Sequence, residues 1–193
     1  FLKWQSEIVI EYKRDDQFIM HCFMPSVQDV DQIESSKYMD MMAVNVYHGQ
    51  QDQLTGNEIA FAGDYFRSVK NGLNYLIAET NAQTIGWNSR IQQPPYPGQL
   101  RQNVYAHLGS GANMVEYWHW HSIHYGQETY WKGVLSHDLQ PNRAYAEVTK
   151  TAQELQRIGK KLVNLKKENK VAILFSHDSN EALNFMPFDQ GGS

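Results

Sequence analysis

Short apolar runs alternate with helix-patterned segments four times along this chain, and that alternation restricts its fold more than any other feature. The runs at 18–24, 41–47 (MMAVNVY), 73–78 (LNYLIA) and 112–118 are too short for helices. They are also too continuously apolar for strands with one wet face. Helical patterns fill the intervals at about 30–38, 57–69 and 98–108, and the longest runs from about 142 to 165. Asn71-Gly72 punctuates the second of these and Gly109-Ser110-Gly111 the third. Strands buried on both faces and separated by helices form parallel sheets, because a parallel return needs a crossover.

Two architectures satisfy that pattern, an open doubly wound sheet and a (β/α) barrel. No glycine-rich phosphate fingerprint follows any of the four strands, which weakens the nucleotide-binding sheet. Polar residues and the longest loops, 80–97 and 118–138, gather after the strand ends, where a barrel carries its active site. Four units are half of eight. The chain also opens on Phe1, directly in a helical pattern with Phe1, Trp4, Ile8 and Tyr12 on one expected face. The expectation is the C-terminal half of a (β/α)8 TIM barrel over 1–165. A lysine-rich linker over 160–170 and a run at 171–175 (VAILF) are expected to open a second α/β domain over 166–193.

The composition is that of a globular chain, 41% hydrophobic and 20% charged. A net charge of −4 gives no reason to expect nucleic acid or an anionic membrane as partner. No apolar run approaches the ~20 residues of a membrane helix, and no signal peptide is visible. Cys22 is the single cysteine, so no internal disulfide forms, which fits a reducing, cytoplasmic location.

Glu79 is the sharpest chemical signal. An acid at the end of an apolar strand faces a cleft and is backed by a dry core, which suits a carboxylate nucleophile. The plainer alternative is a strand-end acid that caps the next helix or pairs with Arg90. Asn81, Trp87 and Asn88 share its loop. The next loop offers Trp118, His119, Trp120, His121, His124, Tyr125, Glu128 and Trp131. Indoles stack on the C–H faces of pyranoses, while carboxylates and amides bind their hydroxyls. His119, His121 and His124 suggest a metal cluster, but tight ligand spacing such as HExxH is absent, so hydroxyl binding or packing suits them better.

Leu76-Ile77-Ala78-Glu79, Gly86-Trp87-Asn88, Pro97-Gly98-Gln99-Leu100-Arg101, Gly111-Ala112-Asn113, Trp118-His119-Trp120, Gly126-Gln127-Glu128 and Pro141-Asn142-Arg143 resemble, in order and spacing, glycoside hydrolase family 42, the β-galactosidases. The diagnostic stretch is about 74–162. Asn45-Val46-Tyr47 sits where the family has a substrate-facing tyrosine. The resemblance implies a retaining hydrolase that releases terminal β-D-galactose from galactosides or galacto-oligosaccharides without a cofactor. Glu79 would be the nucleophile, Tyr47 would orient it, Trp87 would form part of the galactose pocket and Glu128 would bind sugar hydroxyls. Trp131 stands where the family often has a sugar-binding histidine, which leaves stacking as its expected contribution. The family's cysteine-bound zinc is not carried over, because only Cys22 is present.

A retaining site needs a second carboxyl group about 5–5.5 Å from the nucleophile. The resemblance puts it at the end of the fourth barrel strand, and the first strand here counts as the fifth. The acid/base is therefore expected before Phe1, on a missing N-terminal half barrel; Glu7, Glu11, Glu58 and Glu116 are poor substitutes. The family's second domain also implies a homotrimer. The rival readings are a non-catalytic carbohydrate-binding module, an assembly piece, and a related α-L-arabinopyranosidase, whose sugar differs mainly at one exocyclic carbon.

Overall fold

The computed structural model describes residues 1–25, 27, 29–86 and 93–188. Helix α1 (Leu2–Tyr12) leads into β1 (Cys22–Phe23), α2 (Gln32–Ser36), β2 (Ala43–Val46), α3 (Asn57–Val69), β3 (Tyr75–Asn81), α4 (Gln99–Gly109), β4 (Ala112–Trp118), α5 (Arg143–Ile158) and α6 (His177–Phe185). The four strands form one sheet in the order β1-β2-β3-β4, and every neighbouring pair is parallel. Consecutive parallel strands with a helix after each are four successive units of a (β/α) barrel.

The two faces of the sheet are packed unequally. On the helix side Val44, Val46, Tyr75 and Ile77 meet Ile59, Ala62, Phe66 and Val69 of α3 in the main core. Those α3 positions recur at helical spacing, so they share one face of the helix. Gly63 allows a close approach, because a Cβ there would lie 2.6 Å from the Ser110 Cβ. On the opposite, inner face the packing is thin: Ala43, Leu76 and Ala78, with Met41 and Met114 beside them. Asn71 and Gly72 both take positive φ, and the Gly72 N–H donates to the Arg67 carbonyl at 2.6 Å, closing α3 as its sequence predicts.

Several expected elements differ. The first strand is two residues rather than seven, because the Ile19 N–H donates to the Asp40 carboxylate at 2.7 Å instead of joining a ladder. The expected apolar face of α1 is not buried: Phe1, Trp4, Ile8 and Tyr12 are exposed, and Ser6 is the buried residue. The third strand does not stop before Glu79 but continues to Asn81, so the loop expected from residue 80 begins later. The longest helix ends at Ile158 and tightens into a 3-10 turn, Gly159–Lys161, short of 165. Residues 171–175 form no strand; Leu174 is 98% exposed, and apolar side chains alone cannot make a ladder without a neighbouring strand.

The start of α5 anchors the loop before it. The Asn142 side chain accepts the Tyr145 N–H at 3.0 Å and donates to Ser136 Oγ at 2.9 Å and the Val134 carbonyl at 3.2 Å. Asn142→Ala is expected to destabilise the protein by about 1–2 kcal/mol. A urea titration showing a change below about 0.3 kcal/mol would contradict that role.

Candidate active site

The position of Glu79 depends on a bulge. Val44 pairs with Ile77 and the next residue, Asn45, pairs with Glu79, so Ala78 is an extra residue on β3. The β4 side skips there too, with Val115 opposite Ile77 and Tyr117 opposite Thr80. In a regular strand Glu79 would share the helix-facing side of Ile77, because side chains alternate. The extra residue resets the alternation, and Glu79 joins Asn45 on the thinly packed inner face.

Tyr47 follows β2 and reaches this carboxylate. Its hydroxyl donates to Glu79 Oε2 at 2.5 Å. Burial above all, then the hydrogen bond to Glu79 and the charges of Glu79 and Glu128, push the Tyr47 phenol well above its ordinary range. Tyr47 therefore stays a hydrogen-bond donor at any ordinary pH. The Cys22 thiol is also pushed up, first by its partial burial and then by the charges of Glu79 and Glu116. Cys22 itself is an exposed free thiol.

Glu128 lies in a 3-10 turn, Gln127–Tyr130, and accepts the Trp118 indole N–H at 3.2 Å. Trp131 follows it and is only 5% exposed. Its indole donates to the Gly86 carbonyl at 2.8 Å, and its ring meets Tyr47 edge-on at 6.3 Å between centroids. The segment after β3 is stitched to this loop: Gln83 Nε2 donates to the Gly133 carbonyl at 2.6 Å, and the Lys132 N–H donates to the Thr84 carbonyl at 3.0 Å. Tyr47, Glu79 and Trp131 thus come together at one rim, with Glu128 on the loop that carries Trp131. Trp131 is walled in rather than presented as an open stacking surface. Trp87, Asn88 and Arg90 lie outside the described residues.

Two cavities, about 330 Å³ and 290 Å³, share Tyr47 and Glu58 in their walls, and Glu79 lines neither. Glu58 is exposed and accepts the Thr55 hydroxyl at 3.2 Å. The ring nitrogens of the three loop histidines face backbone carbonyls. His119 contacts the His121 carbonyl, His121 Nδ1 lies 3.1 Å from the Ser122 carbonyl and His124 Nε2 lies 2.7 Å from the His137 carbonyl. Among the described residues no group of three or more metal-ligating side chains converges.

Sequence reasoning named Asn81 as a loop neighbour of Glu79 but missed the polar cluster it forms with His48, Thr80 and His107. Asn81 Oδ1 accepts the His48 N–H at 3.1 Å, and Asn81 Nδ2 donates to the His48 carbonyl at 3.0 Å. Thr80 Oγ1 lies 3.4 Å from both His48 Nε2 and His107 Nε2. Burial, and secondarily the charge of His48, push the His107 imidazole down to about 3; burial also lowers His48. No motif marks these residues, although two polar residues directly after an apolar strand are a weak signal.

Residues 1–158 match a family model described as β-galactosidase, glycoside hydrolase family 42. The β-galactosidase BgaA of Clostridium cellulovorans is 30% identical over 132 residues, which cover 68% of this chain and 20% of that protein. A β-galactosidase of an Arthrobacter species is 23% identical over 191 residues, 93% of this chain and 27% of that protein. The β-galactosidase from Marinomonas ef1 has the same fold at a TM-score of 0.85 and 23% identity, covering 98% of this chain and 32% of the other. The enzyme from Halorubrum lacusprofundi gives 0.84 and 23%, with 98% and 30% covered. The chain spans about a fifth to a third of the length of these relatives. Match and fold agree along the whole strand–helix region, and the chain belongs to glycoside hydrolase family 42, the β-galactosidase family.

Proposed function

We propose that this chain carries the nucleophile half of a retaining site that releases terminal β-D-galactose from galactosides. The Tyr47–Glu79 hydrogen bond on the inner face of the sheet is the observation that carries the reading. The Glu79 carboxylate attacks the anomeric carbon while a carboxylic acid protonates the departing glycosidic oxygen. The bond to the aglycone breaks and a galactosyl ester forms on Glu79. Water, deprotonated by the same second carboxyl, then cleaves the ester, and galactose leaves with its configuration retained. Tyr47 holds one oxygen of Glu79 so that the other is free to attack. Glu128, set by Trp118, binds sugar hydroxyls, and Trp131 backs the pocket wall together with Trp87. No cofactor takes part.

The acid/base belongs to a barrel half that precedes Phe1 in this reading; the greater length of the relatives supports it. A homotrimer built through the 166–193 region fits the exposure of Ile173, Leu174 and Phe188, which need a cover. A cytoplasmic setting fits the lone reduced cysteine.

Labelling the active enzyme containing this chain with a 2-deoxy-2-fluoro-galactoside, followed by peptide mass analysis, tests the mechanism. A galactosyl adduct on the Glu79 peptide is expected. Hydrolysis with Glu79 unlabelled would sink the nucleophile assignment. Neither hydrolysis nor labelling would favour a non-catalytic sugar-binding piece.

A further inference from the structure

We propose that Asn81 is a positioning residue that sets the Tyr47–Glu79 pair by holding the backbone of His48, an inference that rests on Glu79 being the nucleophile. The β2–β3 ladder ends where Val46 pairs with Thr80. Tyr47 and His48 lie past it, yet Tyr47 must keep its hydroxyl on Glu79. The Asn81 carboxamide supplies what the ladder no longer does. It bonds both backbone groups of His48, accepting the N–H at 3.1 Å and donating to the carbonyl at 3.0 Å. Tyr47 is thereby pinned on both sides, by a backbone rung at Val46 and by a side-chain rung at His48.

The rung is rigid for physical reasons. Asn81 is 4% exposed and His48 7%, so water does not compete well for these bonds. Thr80 reinforces it from the helix side, where its hydroxyl lies between the imidazoles of His48 and His107. The three residues Glu79, Thr80 and Asn81 therefore address the 47–48 segment in succession. Glu79 takes the Tyr47 phenol, Thr80 the His48 ring and Asn81 the His48 backbone. Asn81 has no bond to Glu79 among the described residues, so its effect on catalysis passes through Tyr47.

The consequence is a specific pattern of losses. Removing the rung lets Tyr47 swing, so Glu79 spends less time hydrogen-bonded and its carboxylate loses stabilisation. Asn81→Leu, which keeps the shape and removes both bonds, is expected to lower kcat about 10–50-fold with KM within about twofold. Asn81→Asp keeps the acceptor for the His48 N–H but loses the donor, and should fall in between.

The decisive experiment is a double-mutant cycle with Tyr47→Phe in the catalytically active enzyme containing this chain, assayed with 4-nitrophenyl β-galactoside. Once the phenol is gone, Asn81→Leu should cost less than about twofold more. Equal losses in both backgrounds, or a raised KM with unchanged kcat, overturn the proposal. If Asn81→Leu fails to fold, Asn81→Asp is read in the same cycle, and additivity there overturns it equally. A Tyr47→Phe enzyme with unchanged kcat would overturn the underlying site reading as well. A Tyr47→Phe loss with an additive Asn81 loss would overturn only the role of Asn81.

Discussion

In the active enzyme containing this chain, Glu79→Ala is expected to lower kcat on aryl β-galactosides by about 10⁴-fold or more, because in the proposed mechanism it removes the group that forms the covalent intermediate. The fold should be little affected. Glu79 is only half-buried, and its recorded hydrogen bond is the one from Tyr47. The substitution opens a space on the α side of the anomeric carbon beside a phenol that remains a donor. Added azide should enter it, attack the anomeric carbon and release α-galactosyl azide, the inverted product. The product's anomeric configuration, read by NMR, checks this. A β-galactosyl azide would mean that Glu79 is the acid/base and not the nucleophile. Loss of activity with loss of the folded circular-dichroism signal would mean that Glu79 matters for structure instead. The apolar packing on the inner face near Glu79 is thin, Ala43, Leu76 and Ala78 with Met41 and Met114 beside them, so the substitution removes little of the core.

Acid should destabilise the protein through His107, which is fully buried against Thr80 on the helix side of β3. Its folded-state pKa is held down to about 3 by burial, with the charge of His48 adding to it. An unfolded histidine titrates near 6.5. Between these values the unfolded chain binds a proton that the folded one refuses, so stability rises with pH. It is fully present above about pH 6.5 and is lost as pH falls toward 3. The limiting slope is about 1.4 kcal/mol per pH unit, and the whole interval comes to about 5 kcal/mol. That is a large share of an ordinary domain's margin of 5–15 kcal/mol. His48, also lowered by burial, acts in the same direction.

His107→Gln keeps an N–H near Thr80 and removes the titration. Urea unfolding at pH 4, 5 and 6.5 should show the variant losing less stability per pH unit than the parent, by about 1.4 kcal/mol. Carboxylates titrate in both proteins and cancel in the comparison. Coincident slopes would show that His107 is hydrated and not buried.

These two outcomes bear on the same strand from its two faces. Glu79 looks into the site, and the next residue, Thr80, looks into the buried histidines.

The local sequence determined the elements that depend on neighbours a few residues away. Helix α3 spans the residues its periodicity predicts, 57–69, because Ile59, Ala62, Phe66 and Val69 recur at helical spacing and Asn71-Gly72 supplies the positive φ that ends it. Strand β4 also has its expected limits. The order of strands and helices was enough for a parallel sheet. Tertiary structure decided what depends on partners distant in sequence. The run at 171–175 has strand composition and no strand beside it among the described residues, so it forms no ladder and is exposed. The α1 apolar face has the right spacing but nothing covers it among the described residues. Trp131 read as a rim aromatic, and its burial follows from the Gly86 carbonyl forty-five residues away. Above all, the face that Glu79 occupies was set by register. One extra residue against β2 turns it from the helices to the inner face, because side-chain alternation is local but register belongs to the pair of strands.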